Sequence, residues 1–435
     1  MATLPRARLA SRCGRWGHLQ RTCRSSTGPH HGQGGGAVGR RGIGGGASAE
    51  GARLRWGLHR MPRFELEKMA AWEQARYQLA SSDCEPLSLK DLLAHADDEC
   101  LARWESLSLG YPESTQGDAA LLQEIAGGLY HGALEPEHIL GVVPAEGILL
   151  ALHSLLSPGD HVVTTAPAYA SLQLVASEAL GCEVTPWPVE WDDTGHPTFS
   201  LDTLRSCLRP QTRVLVVNFP HNPTGYLPTL QEWWYLVSLC ADRGLYLFSD
   251  EMYRHLERPS RPTLPSAAES YALGVTLSGL SKAYGLAGLR LGWLASQDLG
   301  VIRRASELKD YTTICAGTPN ECLGLMALRQ RERLWERART IIRDNIALMD
   351  DFAAERQAVL DWRPPLAGPV AFPKLLQGQG AAAHCEALLD QERVMLISER
   401  SFGDGKANSR VRIGLGRRGM EEMLARWGRQ LDRLL

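Results

Sequence analysis

Ser278-Gly279-Leu280-Ser281-Lys282-Ala283-Tyr284-Gly285-Leu286-Ala287-Gly288-Leu289-Arg290 is the stretch on which the reading of this 435-residue chain turns. One apolar run, Gly274-Val275-Thr276-Leu277, leads into it, and a second, Leu291-Gly292-Trp293-Leu294-Ala295, leaves it. The lysine therefore sits in a short polar turn. A desolvated lysine loses its proton easily and becomes a nucleophile suited to Schiff-base chemistry. Ser278, Ser281 and Arg290 add hydroxyls and a planar fork of donors, the equipment for holding a phosphate. A lone Ser-Lys pair would be an ordinary surface feature, but here the pattern is sustained from Ser278 to Arg290.

Outward from that turn, residues 118–310 alternate strand and helix patterns, which predicts a mainly parallel α/β sheet. Strands are expected at 139–143, 161–165, 213–219 and 245–249, and helices at 119–130, 145–156 and 229–243. Asp250 stands at the carboxyl end of a strand, where open α/β sheets bind ligands, and Tyr253 follows three residues on. The strand 213–219 runs into Pro220-His221-Asn222-Pro223-Thr224-Gly225, a turn shaped by proline and glycine. Ala166-Pro167-Ala168-Tyr169 follows the strand 161–165. At Val143-Pro144-Ala145-Glu146-Gly147 a strand gives way to a helix, whose N-terminal N–H groups and dipole favour an anion. Pro144 removes one of those donors.

Beyond Asp298 the pattern is mainly helical, with helices expected at 299–309, 319–328, 334–356 and 420–434. Strands are expected at 394–398 and 410–416, and 401–408 is a Gly-rich loop. Alternation puts Arg410 and Arg412 on one face of the last strand. Upstream, Phe64, Leu66, Met69, Trp72 and Tyr77 predict a helix over 62–79. Ser81-Ser82-Asp83 breaks it, and 87–93 starts another with a serine near its cap.

Composition bounds the function classes. The chain is 44% hydrophobic and 22% charged, long enough for two domains. It has no eighteen-residue apolar run, so no transmembrane helix is expected. Ten cysteines without CxxC pairs or His/Cys clusters argue against structural zinc and suit a reducing compartment. Residues 1–60 carry eleven arginines, no lysine and one acid, Glu50, leaving 36 basic and 48 acidic residues in 61–435. Three readings of this Gly-rich segment stand: a mistaken start with Met61 the true one, an Arg-rich transit peptide, or a nucleic-acid-binding arm. The first is preferred. The expected location is accordingly cytoplasmic, or mitochondrial or another organelle if the segment is a transit peptide. No nucleic-acid or membrane partner is expected.

The turn around Lys282 resembles the cofactor-lysine motif of the class I/II aminotransferases, fold-type-I enzymes that use pyridoxal 5′-phosphate (PLP). That motif reads roughly Ser-x-Ser-Lys-x-x-Gly-x-x-Gly-x-Arg-x-Gly, matched here by Ser281, Lys282, Gly285, Gly288, Arg290 and Gly292. Glycine replaces serine at 279, so Ser278 is the candidate for that contact. The resemblance covers roughly 62–435. It implies an α/β PLP-dependent transferase fold: a large domain (110–320) with a mostly parallel sheet, and a smaller α/β domain from the two chain ends (61–109 and 321–435).

The resemblance also implies roles. Lys282 would hold the cofactor as a Schiff base and move the substrate's α-proton. Asp250 would pair with the pyridine nitrogen, Asn222 and Tyr253 with the phenolic oxygen, and Tyr169 would stack on the ring. Ser278, Ser281, Arg290 and the turn at Ala145 and Glu146 would hold the phosphate, with Tyr111 reaching it from the neighbouring subunit of a homodimer. Arg412 would grip the substrate carboxylate, and Arg410 would be a surface charge. The implied activity is exchange of an amino group between an amino acid and a 2-oxo acid, without a metal. A PLP-dependent lyase or a cyclase resembling capreomycidine synthase is the alternative. A non-catalytic PLP-fold regulator is disfavoured because residues 1–60 show no helix-turn-helix pattern. No second arginine is assignable to a distal carboxylate, and the sequence does not say which aromatic residues line the pocket.

Overall fold

A computed structural model describes residues 72–403 and 407–434. The expectations for residues 1–60 and for the first ten residues of the 62–79 helix lie outside the described residues. So do residues 404–406 of the Gly-rich loop.

The alternating strands and helices build a seven-stranded sheet. Its strands are β1 (Ile139–Val142), β2 (His161–Ala166), β3 (Glu183–Pro188), β6 (Thr212–Asn218), β7 (Tyr246–Asp250), β8 (Gly274–Gly279) and β9 (Gly292–Ser296). Between β3 and β6, the short strands β4 (Glu190–Trp191) and β5 (Pro197–Thr198) pair as a hairpin. The spatial order is β1-β9-β8-β7-β6-β2-β3. Only β9 runs antiparallel to its neighbours, β1 and β8. The sheet is buried on both faces, which is why its central strands read as unbroken apolar runs. Period-two geometry divides those runs. Val214, Val216, Tyr246 and Phe248 pack under the helices Pro144–Leu155 and Leu299–Lys309, through Ile148, Leu152, Val301 and Ile302. Leu215, Val217 and Leu247 pack on the opposite face against Trp233, Leu236 and Val237 of the helix Leu230–Arg243. That helix starts with a reciprocal Thr229/Glu232 cap and stops at Gly244, whose φ of 62° a side chain would resist.

The C-terminal part adds the 24-residue helix Arg331–Ala354 and the closing helix Met420–Leu431, joined through Ile342, Ile346, Met349 and Trp427. It also adds a two-stranded ribbon, β10 (Leu360–Asp361) with β12 (Lys374–Leu375). A three-stranded sheet orders β11 (Val370–Ala371), β14 (Val411–Gly414) and β13 (Ile397–Ser398).

Two expectations fail. The helix predicted over 62–79 does not extend to Leu79, since only Trp72–Gln74 are helical among its described residues. Tyr77 instead bridges Val394 in parallel, Ala80 N–H donates to Met395 O (3.0 Å), and Leu79 O accepts from Gly414 N–H (2.6 Å). Docking of Leu79 and Ala80, both buried, against the last strand outweighs their helical spacing. Arg410 is not a surface charge either. It is 8% exposed, lies 3.2 Å from the centroid of the Trp191 ring and donates to Phe372 O at 3.0 Å.

Candidate active site

The parallel strands deliver the polar residues to one edge. Asn218 ends β6 and is the register partner of Asp250, which ends β7. Asp250 in turn faces Leu277 of β8, and Lys282 follows three residues after that strand. These residues line a cavity of about 370 Å³. The helix Pro144–Leu155 reaches the same edge only because residue 147 is glycine. A Cβ there would lie 2.7 Å from Leu277 and 2.9 Å from Val142 side-chain carbons.

Burial dominates the titration of the central pair. Desolvation lifts the Asp250 carboxyl to about 6, against the Met252 N–H (3.1 Å from Oδ1) and the Lys282 charge, both of which favour its anion. Desolvation lowers the Lys282 ammonium, opposed by the charges of Asp83 and Asp250. Lys282 Nζ donates to Ser82 Oγ at 3.1 Å, and Ser82 also hydrogen-bonds Tyr253. Tyr253 is itself buried, which pushes its phenol up. The site thus holds an amine that sheds its proton readily and a carboxyl suited to a cationic partner.

Ala145 in the first turn of its helix, Ser281 and Arg290 also line the cavity. The Ser281 hydroxyl is buried without a hydrogen-bond partner. Arg290 has left-handed backbone (φ 49°), a costly conformation of the kind found at ligand clamps. An unsatisfied hydroxyl, helix N–H groups and a guanidinium fit a phosphate; Lys282 and Asp250 fit an aldehyde and a basic ring nitrogen. The residues present therefore fit pyridoxal phosphate.

Two phosphate candidates are arranged otherwise. Ser278 is half-buried in β8 beside Trp293 and does not line the cavity. Leu277 does line it, and successive strand side chains point to opposite faces. The Glu146 carboxylate turns away, accepting from Thr312, Thr313 and the Val143 N–H. A Cβ on Gly279 would lie 3.3 Å from Pro144 Cγ and 2.8 Å from Gly292 Cα, so there is no room for serine at 279 beside that proline.

Arg412 lines the cavity and Arg410 does not. Arg412 Nη1 donates to Asn222 Oδ1 and Nη2 to Ala80 O, both at 3.0 Å. Asn222 N–H is held by Asn218 Oδ1 at 2.8 Å, and Asn218 Nδ2 donates to Asp250 O at 2.8 Å. With its oxygen turned to Arg412, Asn222 has its NH₂ left to donate. Tyr169 precedes the short helix Ala170–Leu174 and lines the cavity, half-buried. Tyr111 is 85% exposed and outside the cavity of its own chain.

Sequence reasoning missed Ser82, Trp72, Met395, Ile397 and Phe402, all of which line the cavity. The signal for Ser82 was present but read only as a helix stop. Asp83 beside it pairs with Arg417 through two contacts, 3.0 and 2.7 Å, fixing the segment. The other four carry no motif. No group of metal-ligating side chains occurs among the described residues, and no helix there is long and apolar enough to cross a membrane.

Against known proteins, the family model for aminotransferase class I and II matches residues 94–426. A capreomycidine synthase of Streptomyces vinaceus is 31% identical over 301 residues, 68% of this chain and 74% of that one. A crystal structure of a PLP-dependent aminotransferase from Streptococcus suis superimposes with a TM-score of 0.78 at 29% identity, covering 86% of this chain and 99% of the other. A PLP-dependent cyclase, OrfR, superimposes with a TM-score of 0.76 at 26% identity, covering 86% and 98%.

Proposed function

The chain belongs to the class I and II aminotransferases and is a transaminase of that family, and on that premise we propose that its cavity exchanges an amino group between an amino acid and a 2-oxo acid with pyridoxal phosphate held by Lys282. The carrying observation is the convergence of Asn218, Asp250, Ser281, Lys282, Arg290 and Arg412 on one cavity at the carboxyl edge of the sheet. Bound there, the cofactor supplies a carbonyl for the substrate amine and a ring that withdraws electrons from the substrate's Cα.

Each residue has one task. Ser281, Arg290 and the helix N–H groups at Ala145 hold the phosphate. Asp250 keeps a proton on the ring nitrogen; the ion pair supplies the charge that burial denies the carboxylate. Asn222 and Tyr253 hold the phenolic oxygen, and Tyr169 covers the ring face. Arg412 takes the substrate carboxylate in its fork, releasing Asn222 Oδ1 and Ala80 O. The Lys282 amine, freed from the carbonyl carbon, would take the proton from Cα and deliver it to that former carbonyl carbon, two atoms along on the far side of the substrate nitrogen. Ser82 receives the Nζ–H and keeps the amine in place.

We also propose a homodimer. Leu109, Tyr111 and Tyr311 are each more than 80% exposed, and Tyr111 is the residue that the family resemblance sends to a neighbouring subunit. Light scattering reads the mass directly.

The similarity to a capreomycidine synthase and to a PLP-dependent cyclase supports a second reading, ring closure of an amino acid on the same residues. One measurement separates the two. Amino acids are added singly to the PLP-loaded protein without an acceptor. Release of about one 2-oxo acid per active site supports transamination. A changed amino acid without an oxo acid supports the second reading, and no change with any amino acid removes both.

A further inference from the structure

We infer that the substrate amino acid carries a large, uncharged, apolar side chain, selected by a wall made of Trp72, Met395, Ile397 and Phe402; this rests on the transaminase reading of the cavity.

Among the described residues, the charged groups lining the cavity are Asp250, Lys282, Arg290 and Arg412, and each has a task. Asp250 meets the ring nitrogen, Lys282 the carbonyl, Arg290 the phosphate and Arg412 the α-carboxylate. None is left for a substrate side chain. Away from the strand ends, the lining includes an apolar group, with Ser401 beside it. Ala80, Phe372, Met395, Ile397 and Phe402 form a cluster separate from the three larger cores, with Ala75 and Trp191 packed on it. Met395, Ile397 and Phe402 open from that cluster into the cavity. Trp72, half exposed, stands with them. The wall begins at the carboxylate anchor, because the Phe402 ring centroid is 5.1 Å from Arg412 Cζ. A substrate held by Arg412 therefore meets aromatic and aliphatic surface first.

The next arginine along the chain does not alter this. Arg410 lies behind the wall, stacked on Trp191 and bonded to Phe372 O, both members of or neighbours to the cluster. Among the described lining residues, a distal carboxylate would meet no further cation, and a distal ammonium or guanidinium would meet no further carboxylate. Burying either one unpaired is costly. A large apolar side chain instead gains the transfer free energy of its buried surface.

The test uses the PLP-loaded full chain and carboxylates that lack the amine, so binding is read without turnover. Dissociation constants for 3-phenylpropanoate, 4-methylpentanoate, glutarate and 5-guanidinopentanoate are measured by titration of the tryptophan fluorescence. The two apolar acids are expected to bind at least tenfold more tightly than the two charged ones. Trp72→Ala, at a half-exposed site, should weaken 3-phenylpropanoate by roughly tenfold and leave glutarate unchanged. Met395→Arg should reverse the preference in favour of glutarate; if it does not fold, the Trp72→Ala comparison decides alone. Equal or tighter binding of glutarate or the guanidino acid to the unaltered chain overturns the inference. The amino-acid panel keeps the two claims apart. Oxo acid released only from glutamate, aspartate, lysine or arginine overturns the apolar wall and leaves the transaminase standing. Preferential binding of the apolar acids with no oxo acid from any amino acid upholds the wall and overturns the transaminase.

Discussion

The two sides of the cavity are built in opposite ways. The sheet edge supplies Asn218, Asp250, Ser281 and Lys282 from the ends of adjacent strands, polar and locked by register. The facing side supplies Trp72, Met395, Ile397 and Phe402 from segments more than 300 residues apart, apolar and held by packing. The first side determines the chemistry and the second determines what undergoes it. Changes on the sheet edge should therefore abolish turnover for every substrate, while changes opposite should redistribute it among substrates.

Lys282→Ala is the severest test of the first half. Turnover should fall by about 10³-fold or more, because both attachment and proton transfer are lost. Borohydride treatment of the loaded variant followed by mass spectrometry should find no cofactor joined to the chain. A joined cofactor would move the assignment to another amine.

Arg412→Ala should raise the amino-acid KM by roughly 100-fold, the loss of a two-donor contact to a carboxylate. Arg410→Ala should leave KM within a few-fold and lower the melting temperature, since it removes a buried stack and hydrogen bond. The opposite pattern in steady-state kinetics would exchange the two assignments.

Asp250→Asn should show in the cofactor-free chain as a change in pH dependence. Burial raises Asp250 from 3.8 to about 6. Between those values the folded chain holds a proton that the unfolded chain has released, so stability falls as pH rises from about 4 to about 6. The whole effect is about 3 kcal/mol at 1.36 kcal/mol per pH unit. The difference in melting temperature between wild type and Asp250→Asn should thus move against the wild type across that window and level off above it. A difference independent of pH by calorimetry would mean that Asp250 titrates normally.

Ser82→Ala is expected to have the smallest effect. Loss of one acceptor disfavours the Lys282 ammonium. The acidic limb of the kcat profile, which reports the substrate-bound enzyme in which the Lys282 amine is free, should move down by about half a unit, worth roughly one hydrogen bond. Ser82→Thr should restore it. An unmoved limb would leave Ser82 a structural role only.

The same contrast explains what was legible in the sequence. Asp250, Lys282 and Arg290 stand in contiguous motifs beside apolar runs, and parallel register then carries such motifs to one edge without further information. Four of the seven strands, β1, β2, β6 and β7, were legible for the same local reason, and the apolar runs at 274–277 and 291–295 fall on β8 and β9, whereas β3 was not expected. Ser278 failed because the turn was counted as a string, whereas strand alternation decides which face a serine occupies. Glu146 failed because its carboxylate found Thr312 and Thr313, some 166 residues away, a pairing that local sequence does not encode. Arg410 read as a surface charge because Trp191, its stacking partner, lies far off in the chain. The apolar wall was illegible altogether: Met395 and Phe402 are ordinary core residues until a cavity opens beside them.

The hydrogen bond from Arg412 to Ala80 O spans 332 positions, and Gly414 closes on Leu79 beside it. This gives the catalytic centre a birth order. On the ribosome the lysine, the aspartate and the strands that carry them emerge well before the final strand, and early segments begin to fold as they appear. A nascent chain can thus assemble the edge that holds the cofactor while still lacking the hand that holds the substrate. Competence to recognise an amino acid arrives later, when the strand that carries Arg412 closes on the segment at Leu79 and Ala80. A product that stopped short of the last strand would lack substrate recognition entirely, however much of the sheet it had built.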